Sequence, residues 1–331
     1  MTPEEILTLI NKAAITTATG GQLSTEQAKQ FFDLTVKQSD LLQAVQTVLM
    51  TSDTYELNTI EIASRQMRGA TEAVAPTDLI SPTITPRTLS AKESILPYDI
   101  GFSWLETNIE GANAESKLNG MFATSFGNDL IDLAINGNET LAATITDADA
   151  DGVDDTTGLV QNDHSFLRQN NGWIYTARND SDVHSYEIPA DLTTITWKEI
   201  FKNMLALLPV KWRTNPAELA FLVSPDVDDA YKYELSARAT ALGDAFLTEN
   251  RRATAASGIT VIPVPFFPAI TNPAGPSVML TKLKNLGVGV GRNMRVGRQV
   301  QERKRVIEYT ITGKTDFNYV VSDMIVLGEM A

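Results

Sequence analysis

The chain of 331 residues contains no cysteine and only two histidines, His164 and His184. Without cysteine there can be no disulfide framework, no thiol nucleophile and no cysteine-based zinc site. Both histidines fall in a polar stretch, where nothing indicates the fixed neighbours that a catalytic histidine needs. The composition therefore nominates no active site, and we predict that the protein is not an enzyme.

Long apolar runs and a secretory signal are also missing. No run of about 18 apolar residues occurs, which excludes a helix that spans a membrane. The first residues, Met1–Glu5, are acidic and lack the basic and apolar segments of a signal peptide. We therefore expect synthesis in the cytoplasm and no partnership with a membrane.

Basic residues are in short supply. Lysine and arginine number 27 against 41 aspartates and glutamates, which gives a net charge of -14. Proteins that bind nucleic acid tightly usually place lysine and arginine against phosphates. Tight DNA binding is therefore not expected. The acidity also favours solubility.

About fifty residues at the start of the chain have helical periodicity. A capping pattern at Thr2–Glu5 begins the first predicted helix, Gly20 and Gly21 end it, and Ser24 with Gln27 begins another. The periodicity continues after Asp40 through Leu41, Leu42, Val45, Val48 and Leu49. These helices are too few to form a core of their own, so we expect their apolar faces to dock elsewhere.

Between Tyr55 and Trp104 the helical periodicity fades, while threonine, serine, proline and β-branched residues become frequent. We predict a long two-stranded ribbon with a loose tip, which would be barely stable by itself. Two interpretations remain open. The ribbon is either a flexible surface loop or an arm that lies on a neighbouring subunit.

The remainder of the chain alternates between helices and strands. Apolar spacing predicts a long helix over 113–135 that ends at Asn136-Gly137, followed by a polar and mostly looped segment over 138–190. Capping patterns at Thr196 and Ser224 predict two further helices. Gly313-Lys314 predicts a hairpin between two closing strands, 305–312 and 317–327. The predicted class is α+β.

Two glycine motifs resemble nucleotide-binding loops but fail in detail. Gly313-Lys314-Thr315 could end a phosphate-binding loop, yet Glu308 occupies the position of the required earlier glycine and a strand precedes it. Glycines at 287, 289 and 291 imitate a dinucleotide fingerprint, but Arg292 occupies the position of its third glycine and no helix follows. Neither motif predicts nucleotide binding.

The stretch 147–155 places acidic residues at alternate positions around a glycine, as calcium loops do. Its candidate calcium ligands are Asp147, Asp149, Asp151 and Asp155. Gly158 stands where an EF-hand needs a bidentate glutamate, and flanking helices are not evident. A solvated loop of mutually repelling carboxylates is the alternative, and we predict no other cofactor.

One segment reverses the charge of the rest. Between Lys282 and Arg305 there are eight bases and a single acid, Glu302. The bases are Lys282, Lys284, Arg292, Arg295, Arg298, Arg303, Lys304 and Arg305. A solvated face, contact with DNA and complementarity to an acidic surface of a neighbouring copy all remain open, and the last is the interpretation we favour.

Taken in order, these elements resemble the Hong Kong 97-type fold of tailed-phage major capsid proteins over essentially the whole chain. The segments that carry the resemblance are Phe102–Glu106, Phe126–Leu130, Ala134–Glu139, Gly172–Ile174, Gly258–Pro265 and Met279–Leu286. The first three are similar to the family's strand and long spine helix with its closing turn. The last two are similar to the end of its axial domain.

The resemblance implies a domain plan and a set of contacts. It implies an N-terminal arm over 1–54, an extended E-loop over 55–100, a peripheral domain from 101–137 and 291–331 with the spine helix over 113–135, and an axial domain over 138–290. Residues 138–190 would form an acidic loop insertion in the axial domain. For the chain as a whole, the expected subunit-interface residues are Arg65, Arg68, Arg292, Arg295, Arg298, Arg303, Lys304 and Arg305.

The same resemblance implies a biological role. The chain would assemble as hexamers and pentamers into an icosahedral shell around double-stranded DNA, in the cytoplasm of a bacterial host, and become part of the virion. A separate scaffolding protein and a portal would be its partners, and contacts with DNA would not be sequence-specific. The alternatives are an encapsulin-like shell of a cellular compartment and a calcium-dependent binding module.

Overall fold

A computed structural model describes residues 40–61, 83–107, 114–148, 153–154, 159–192, 195–236, 255–269, 276–291 and 295–330. Its helices, in chain order, are α1 (Asp40–Ala44), α2 (Phe102–Thr107), α3 (Ala114–Asn136), α4 (Gln161–Leu167), α5 (Trp173–Arg178), α6 (Trp197–Leu207), α7 (Val210–Arg213) and α8 (Pro225–Ser236). Its strands are β1 (Gln46–Met50), β2 (Thr54–Glu61), β3 (Thr83–Ser90), β4 (Lys92–Gly101), β5 (His184–Ile188), β6 (Leu219–Val223), β7 (Ala255–Ala256), β8 (Ile259–Pro263), β9 (Pro276–Lys282), β10 (Leu286–Gly291), β11 (Arg295–Gln301), β12 (Val306–Tyr319) and β13 (Val326–Met330).

Strand β12 organises a five-stranded sheet. One of its edges pairs with β4, the other pairs with β11 and then with β10, and β1 adds to β10 in parallel. Every second residue of β12 is buried without a break from Ile307 through Gly313 to Tyr319. The predicted hairpin at Gly313-Lys314 was therefore wrong. An unbroken alternation of period two indicates one long strand more strongly than a single glycine indicates a turn.

The second sheet has six strands in the order β5-β13-β9-β6-β8-β7. The strand nearest the C-terminus, β13, pairs with β9 and β5 in this sheet, whereas β10 belongs to the five-stranded sheet. The predicted boundary at residues 290 and 291 therefore does not coincide with a division between the sheets. The reason is that β12 and β13 are separated by only one short turn, Ser322–Met324, so the chain passes directly from one sheet into the other.

Apolar side chains fill both faces of the six-stranded sheet. On one face, Phe221 and Leu280 pack with the helices α6 and α8. On the other face, Leu222 and Leu327 join a larger core that includes α3 and the inner face of the five-stranded sheet. A sheet covered on both faces has strands that are hydrophobic throughout, which explains why all five residues of β6 are buried.

The long helix was predicted correctly, since α3 covers Ala114–Asn136. A neighbouring prediction was wrong. After α1 the chain forms strand β1 rather than a helix through Leu49, because pairing with β10 satisfies its backbone. The described part of the segment 138–190 is mostly loop, as predicted, but it also contains α4, α5 and β5, whose apolar residues Trp173 and Ile188 are fully buried.

The end of α3 and the start of α5 are in backbone contact. The N–H of Gly172 donates to the carbonyl of Gly137 over 2.8 Å, and Asn138 donates to Leu167 over 2.8 Å. A Cβ on Gly172 would lie 2.7 Å from the carbonyl oxygen of Ile135. Only glycine allows the two helix ends to approach this closely.

Candidate assembly surfaces

Strands β2 and β3 form a separate two-stranded ribbon. Eight residue pairs, from Thr54↔Ser90 to Glu61↔Thr83, hold it together. Eight residues of antiparallel strand extend for about 27 Å. Tyr55 is 41% exposed and Ile84 is 58% exposed, so apolar side chains of the ribbon face outwards. The predicted ribbon is confirmed in β2 and β3, whereas β4, the end of the predicted 55–100 segment, belongs to the five-stranded sheet.

The ribbon contacts the body of the protein through a small apolar cluster at its base. This root cluster consists of Met50, Leu57 and Leu89 and is distinct from the main core. It lies against the glycines of β10, since a Cβ on Gly289 would be 2.7 Å from Met50 Sδ and one on Gly287 would be 3.2 Å from Leu57 Cδ1. The glycine series that imitates a nucleotide motif thus makes room for the root of the ribbon.

Polar side chains of β12 bind the ribbon from outside the core. Lys314 forms an ion pair with Asp53 at 2.7 Å, and Asn318 donates to the carbonyl of Thr88 over 3.0 Å. Asp316 accepts the backbone N–H of Ser90. Burial raises the pKa of Asp316 above its ordinary value, against the opposing effect of its hydrogen bonds. These side chains alternate with the buried ones on β12, so one strand supports the core and the ribbon on opposite faces.

Arg87 of β3 provides a further polar attachment of the ribbon. Its guanidinium donates to the carboxylate of Asp180 and to the hydroxyl of Ser322, and it lies 5.0 Å from the ring centre of Tyr319. The Tyr319 hydroxyl donates to the same carboxylate over 2.8 Å. Burial alone would raise the pKa of Asp180, but hydrogen bonds from Tyr319, the Asp182 N–H, Arg87 and Ser322 lower it from 3.8 to about 2. The carboxylate is therefore charged at neutral pH.

An open cleft of about 370 Å³ lies beside this attachment, lined by Thr59, Thr85, Arg87, Ser181, Asp182, His184 and residues 320–323. His184 lies 3.0 Å from Asp323, which also binds Lys211 at 2.6 Å and accepts the indole N–H of Trp212. Burial raises the pKa of Asp323, and these partners lower it by a larger amount. The arrangement stabilises the charged carboxylate of Asp323 between β13, β5 and α7. A catalytic histidine would need a nucleophile such as serine beside it, and the described hydrogen bonds do not connect His184 to a serine.

The predicted basic segment is divided between the two sheets. Lys282 lies at the end of β9, where it pairs with Glu218 at 2.7 Å, while Arg298 lies on β11. The turn between β11 and β12, residues 302–305, presents three bases and one acid, all exposed. We call it the basic turn. Arg303 has no ion pair within the described residues, whereas Lys304 pairs with Glu308 at 3.0 Å.

Several predicted site residues lie outside the described part of the chain. They are Arg65, Arg68, Asp149, Asp151, Asp155 and Arg292. Only the backbone of Arg295 is described, as part of β11. Asp147 is half-buried, and among the described residues no group of three or more carboxylates and histidines is placed to hold a metal. The calcium hypothesis stays a prediction.

The acidic stretch does contain one buried pair that the sequence did not reveal. The Asp154 carboxylate accepts the backbone N–H of Thr146 over 3.0 Å and lies 3.7 Å from His164, and both side chains are buried. Asp154 therefore fixes the start of this segment against α4. The pairing of Arg87 with Asp180 was missed as well, because the two residues are 93 positions apart and no local pattern connects them.

Comparison with solved structures identifies the architecture. A chain of the satellite phage P4 procapsid that includes the size determination (Sid) protein has a TM-score of 0.60 and 14% identity, covering 91% of this chain and 99% of that one. A capsid chain of the native GTA particle has a TM-score of 0.60 and 14% identity, covering 89% and 90%. The chain has the Hong Kong 97-type capsid fold.

Sequence comparison agrees with the fold. A prophage capsid protein, YqbE, of Bacillus subtilis (strain 168) is 26% identical over 328 residues, which is 96% of both chains. No protein-family model matches the sequence. The resemblance to phage capsid proteins and the α+β class are therefore confirmed. Among the described residues, no helix is long and apolar enough to cross a membrane.

Proposed function

We propose that this chain is a major capsid protein, which assembles as hexamers and pentamers into an icosahedral phage head around double-stranded DNA. The observation that carries the proposal is the ribbon of β2 and β3 in a chain with the capsid fold. The ribbon exposes apolar side chains such as Ile84. An isolated ribbon gains little stability from its own pairing. Contact with a neighbouring copy would cover these side chains.

The attachment of the ribbon supports an assembly role. The root cluster, the β12 side chains and Arg87 hold its base, so the strands leave the body in a fixed direction. A pre-ordered arm loses less conformational entropy on binding than a mobile one. The named relatives are capsid proteins, which supports a structural role and favours neither the encapsulin nor the calcium-module alternative.

The finer partners follow from this role as further proposals. A separate scaffolding protein and a portal would act in assembly, which would take place in the host cytoplasm and leave the chain in the virion. A net charge of -14 argues that packaged DNA is enclosed rather than tightly bound, since phosphate contacts would need many lysines and arginines. The arginines of the basic turn would then serve contacts between copies.

Electron microscopy of the overexpressed full-length chain tests the proposal. Uniform hollow shells or ring-shaped capsomers are expected, and the nucleic acid or protein inside them separates a phage head from a cellular compartment. A chain that stays monomeric at high concentration would contradict an assembly role.

A further inference from the structure

Two asparagine–glycine pairs meet where the end of α3 contacts the start of α5. They are Asn136-Gly137 and Asn171-Gly172, and the N–H of Gly172 donates to the carbonyl of Gly137 over 2.8 Å. Gly172 is required there for space, and a Cβ on Gly137 would collide with the carbonyl oxygen of Asn170. The packing of the two helices therefore requires a glycine after each asparagine.

An asparagine followed by glycine has a characteristic reaction with itself and water. The backbone nitrogen of the glycine attacks Cγ of the asparagine, the new N–C bond closes a five-membered imide, and the side-chain nitrogen leaves as ammonia. Water then opens the imide at one of its two carbonyls and gives aspartate or isoaspartate. Glycine favours the reaction, because it has no side chain to shield its nitrogen and is the most flexible residue.

The fold withholds the attacking nitrogen in both pairs. The N–H of Gly137 donates to the carbonyl of Leu133 over 3.0 Å, and that of Gly172 donates to Gly137. Both glycines are buried. Attack requires the nitrogen to lose its proton and the asparagine side chain to turn towards it, so the local structure must open first. The reaction therefore belongs to chains that have not folded or have unfolded.

The side chain of Asn136 acts as a hydrogen-bond donor in the folded chain. Its nitrogen donates to Oδ1 of Asp132 over 2.6 Å and to the carbonyl of Phe266 over 2.7 Å. A carboxylate and a carbonyl only accept, so the nitrogen must face them. Burial raises the pKa of Asp132, the hydrogen bond from Asn136 opposes this effect, and the charge of Asp163 adds to it. The amide thus stabilises a carboxylate that the fold otherwise disfavours.

Conversion would have opposite consequences at the two positions. An aspartate at 136 would lose both donors and bring a negative charge against the Asp132 carboxylate and the Phe266 carbonyl, at the C-terminal end of α3, where negative charge is unfavourable. Asn171 is an acceptor instead, because its Oδ1 accepts the backbone N–H of Glu139 over 2.9 Å. An aspartate at 171 can still accept this hydrogen bond. The two pairs are alike in reactivity and differ in what their conversion does.

We infer that Asn136 is a deamidation site, open to reaction in the unfolded chain, protected in the folded chain and destabilising once it is converted to aspartate. A chain that stays unfolded for long is thereby altered, because its converted form folds less stably. The inference concerns the folding of a single chain, so it stands apart from the proposed function and does not depend on assembly.

Mass spectrometry of the full-length chain tests the protection. The chain is kept at mildly alkaline pH, either folded or in guanidinium chloride, and conversion at positions 136 and 171 is followed with time. We expect both positions to react at least about tenfold more slowly in the folded chain, because the reaction waits for local opening. Equal rates at Asn136 under the two conditions would overturn the inference.

Three variants test the consequence of conversion. We expect Asn136→Asp to lower the melting temperature by about 5 °C and Asn136→Ala to lower it less, since alanine adds no charge. Asn171→Asp should melt within about 1 °C of the wild type. An Asn136→Asp chain that does not fold, beside an Asn171→Asp chain that does, would support the inference equally. A loss for Asn136→Asp no greater than that for Asn136→Ala or Asn171→Asp would overturn it.

Discussion

Arg87 and Asp180 form a charged contact between the ribbon and the body of the protein. Their side chains are 23% and 13% exposed, so water screens the pair only in part. Ser322 and Tyr319 complete the hydrogen bonding of both groups. A satisfied and partly buried network of this kind fixes a geometry, and the loss of one member leaves the others without partners.

Replacing Arg87 with methionine tests this contact. We expect Arg87→Met to lower the free energy of unfolding by about 1–3 kcal/mol, because hydrogen bonds to a charged group are lost while Asp180 stays partly buried. The control is Arg178→Met, which removes an ion pair with Glu329 whose side chains are 38% and 27% exposed and should cost under about 1 kcal/mol. Urea denaturation measures both. Equal losses of unfolding free energy would mean that the Arg87 contact stabilises the fold no more than the more exposed Arg178 ion pair does.

The same network predicts a dependence on acid. The pKa of Asp180 is lowered in the folded chain to about 2 from 3.8. A lowered carboxyl pKa contributes stability that is complete above the unfolded value and disappears as pH falls towards the folded value. We therefore expect the stability difference between the wild type and Asp180→Asn to shrink between pH 5 and pH 2, by about 2 kcal/mol or less. A constant difference across this range would contradict the assignment.

At the scale of elements, local signals were read correctly and non-local ones were not. The capping box at Thr196 and Glu199 is present, and the Asn136-Gly137 stop ends α3 where predicted. These features depend on neighbours within four residues. The mistaken hairpin in β12 and the mistaken helix at Val48 depend on distant strands, β4 and β10, which override local preference. The Arg87 attachment needs three separate segments and has no local pattern.

The contact between α3 and α5 shows how an element is positioned by a missing side chain. A Cβ on Gly172 would lie 2.7 Å from the Ile135 oxygen, 2.8 Å from the Gly137 nitrogen and 2.9 Å from the Ala134 oxygen. Its φ of -81° suits any residue, so space alone requires glycine. Backbone atoms at a helix end cannot rotate away as side chains do.

We expect Gly172→Ala to lower the free energy of unfolding by about 1–3 kcal/mol, since the two helix ends must separate. Gly297→Ala is the control in β11, where the nearest atom to a new Cβ is 3.8 Å away. That change should be neutral or slightly stabilising, because alanine is less flexible in the unfolded chain. Thermal unfolding followed by circular dichroism measures both, and a neutral Gly172→Ala would show that α5 is not held by this approach.

At the scale of the whole molecule, we propose that the five-stranded sheet carries a contact surface at each end of β12. The ribbon lies at one end and the basic turn at the other, with the main core between them. The body of the sheet can therefore stay rigid while its two ends meet different neighbours. The chain is acidic overall and the basic turn is not, so charge would orient one copy relative to its neighbour. Electrostatic complementarity selects the register of a contact more than it increases its strength.

Charge reversal at the basic turn tests whether these residues act in assembly rather than in folding. We expect Arg303→Glu to reduce the yield of shells strongly and to leave the melting temperature unchanged, because Arg303 is exposed and has no ion pair within the described residues. Lys202→Glu makes the same change of charge on the exposed face of α6 and should assemble as the wild type does. The defect should weaken as salt rises above about 0.1 M, where the Debye length falls below about 10 Å. An assembly defect that is independent of salt, or one shared by Lys202→Glu, would mean that the basic turn does not contact an acidic surface.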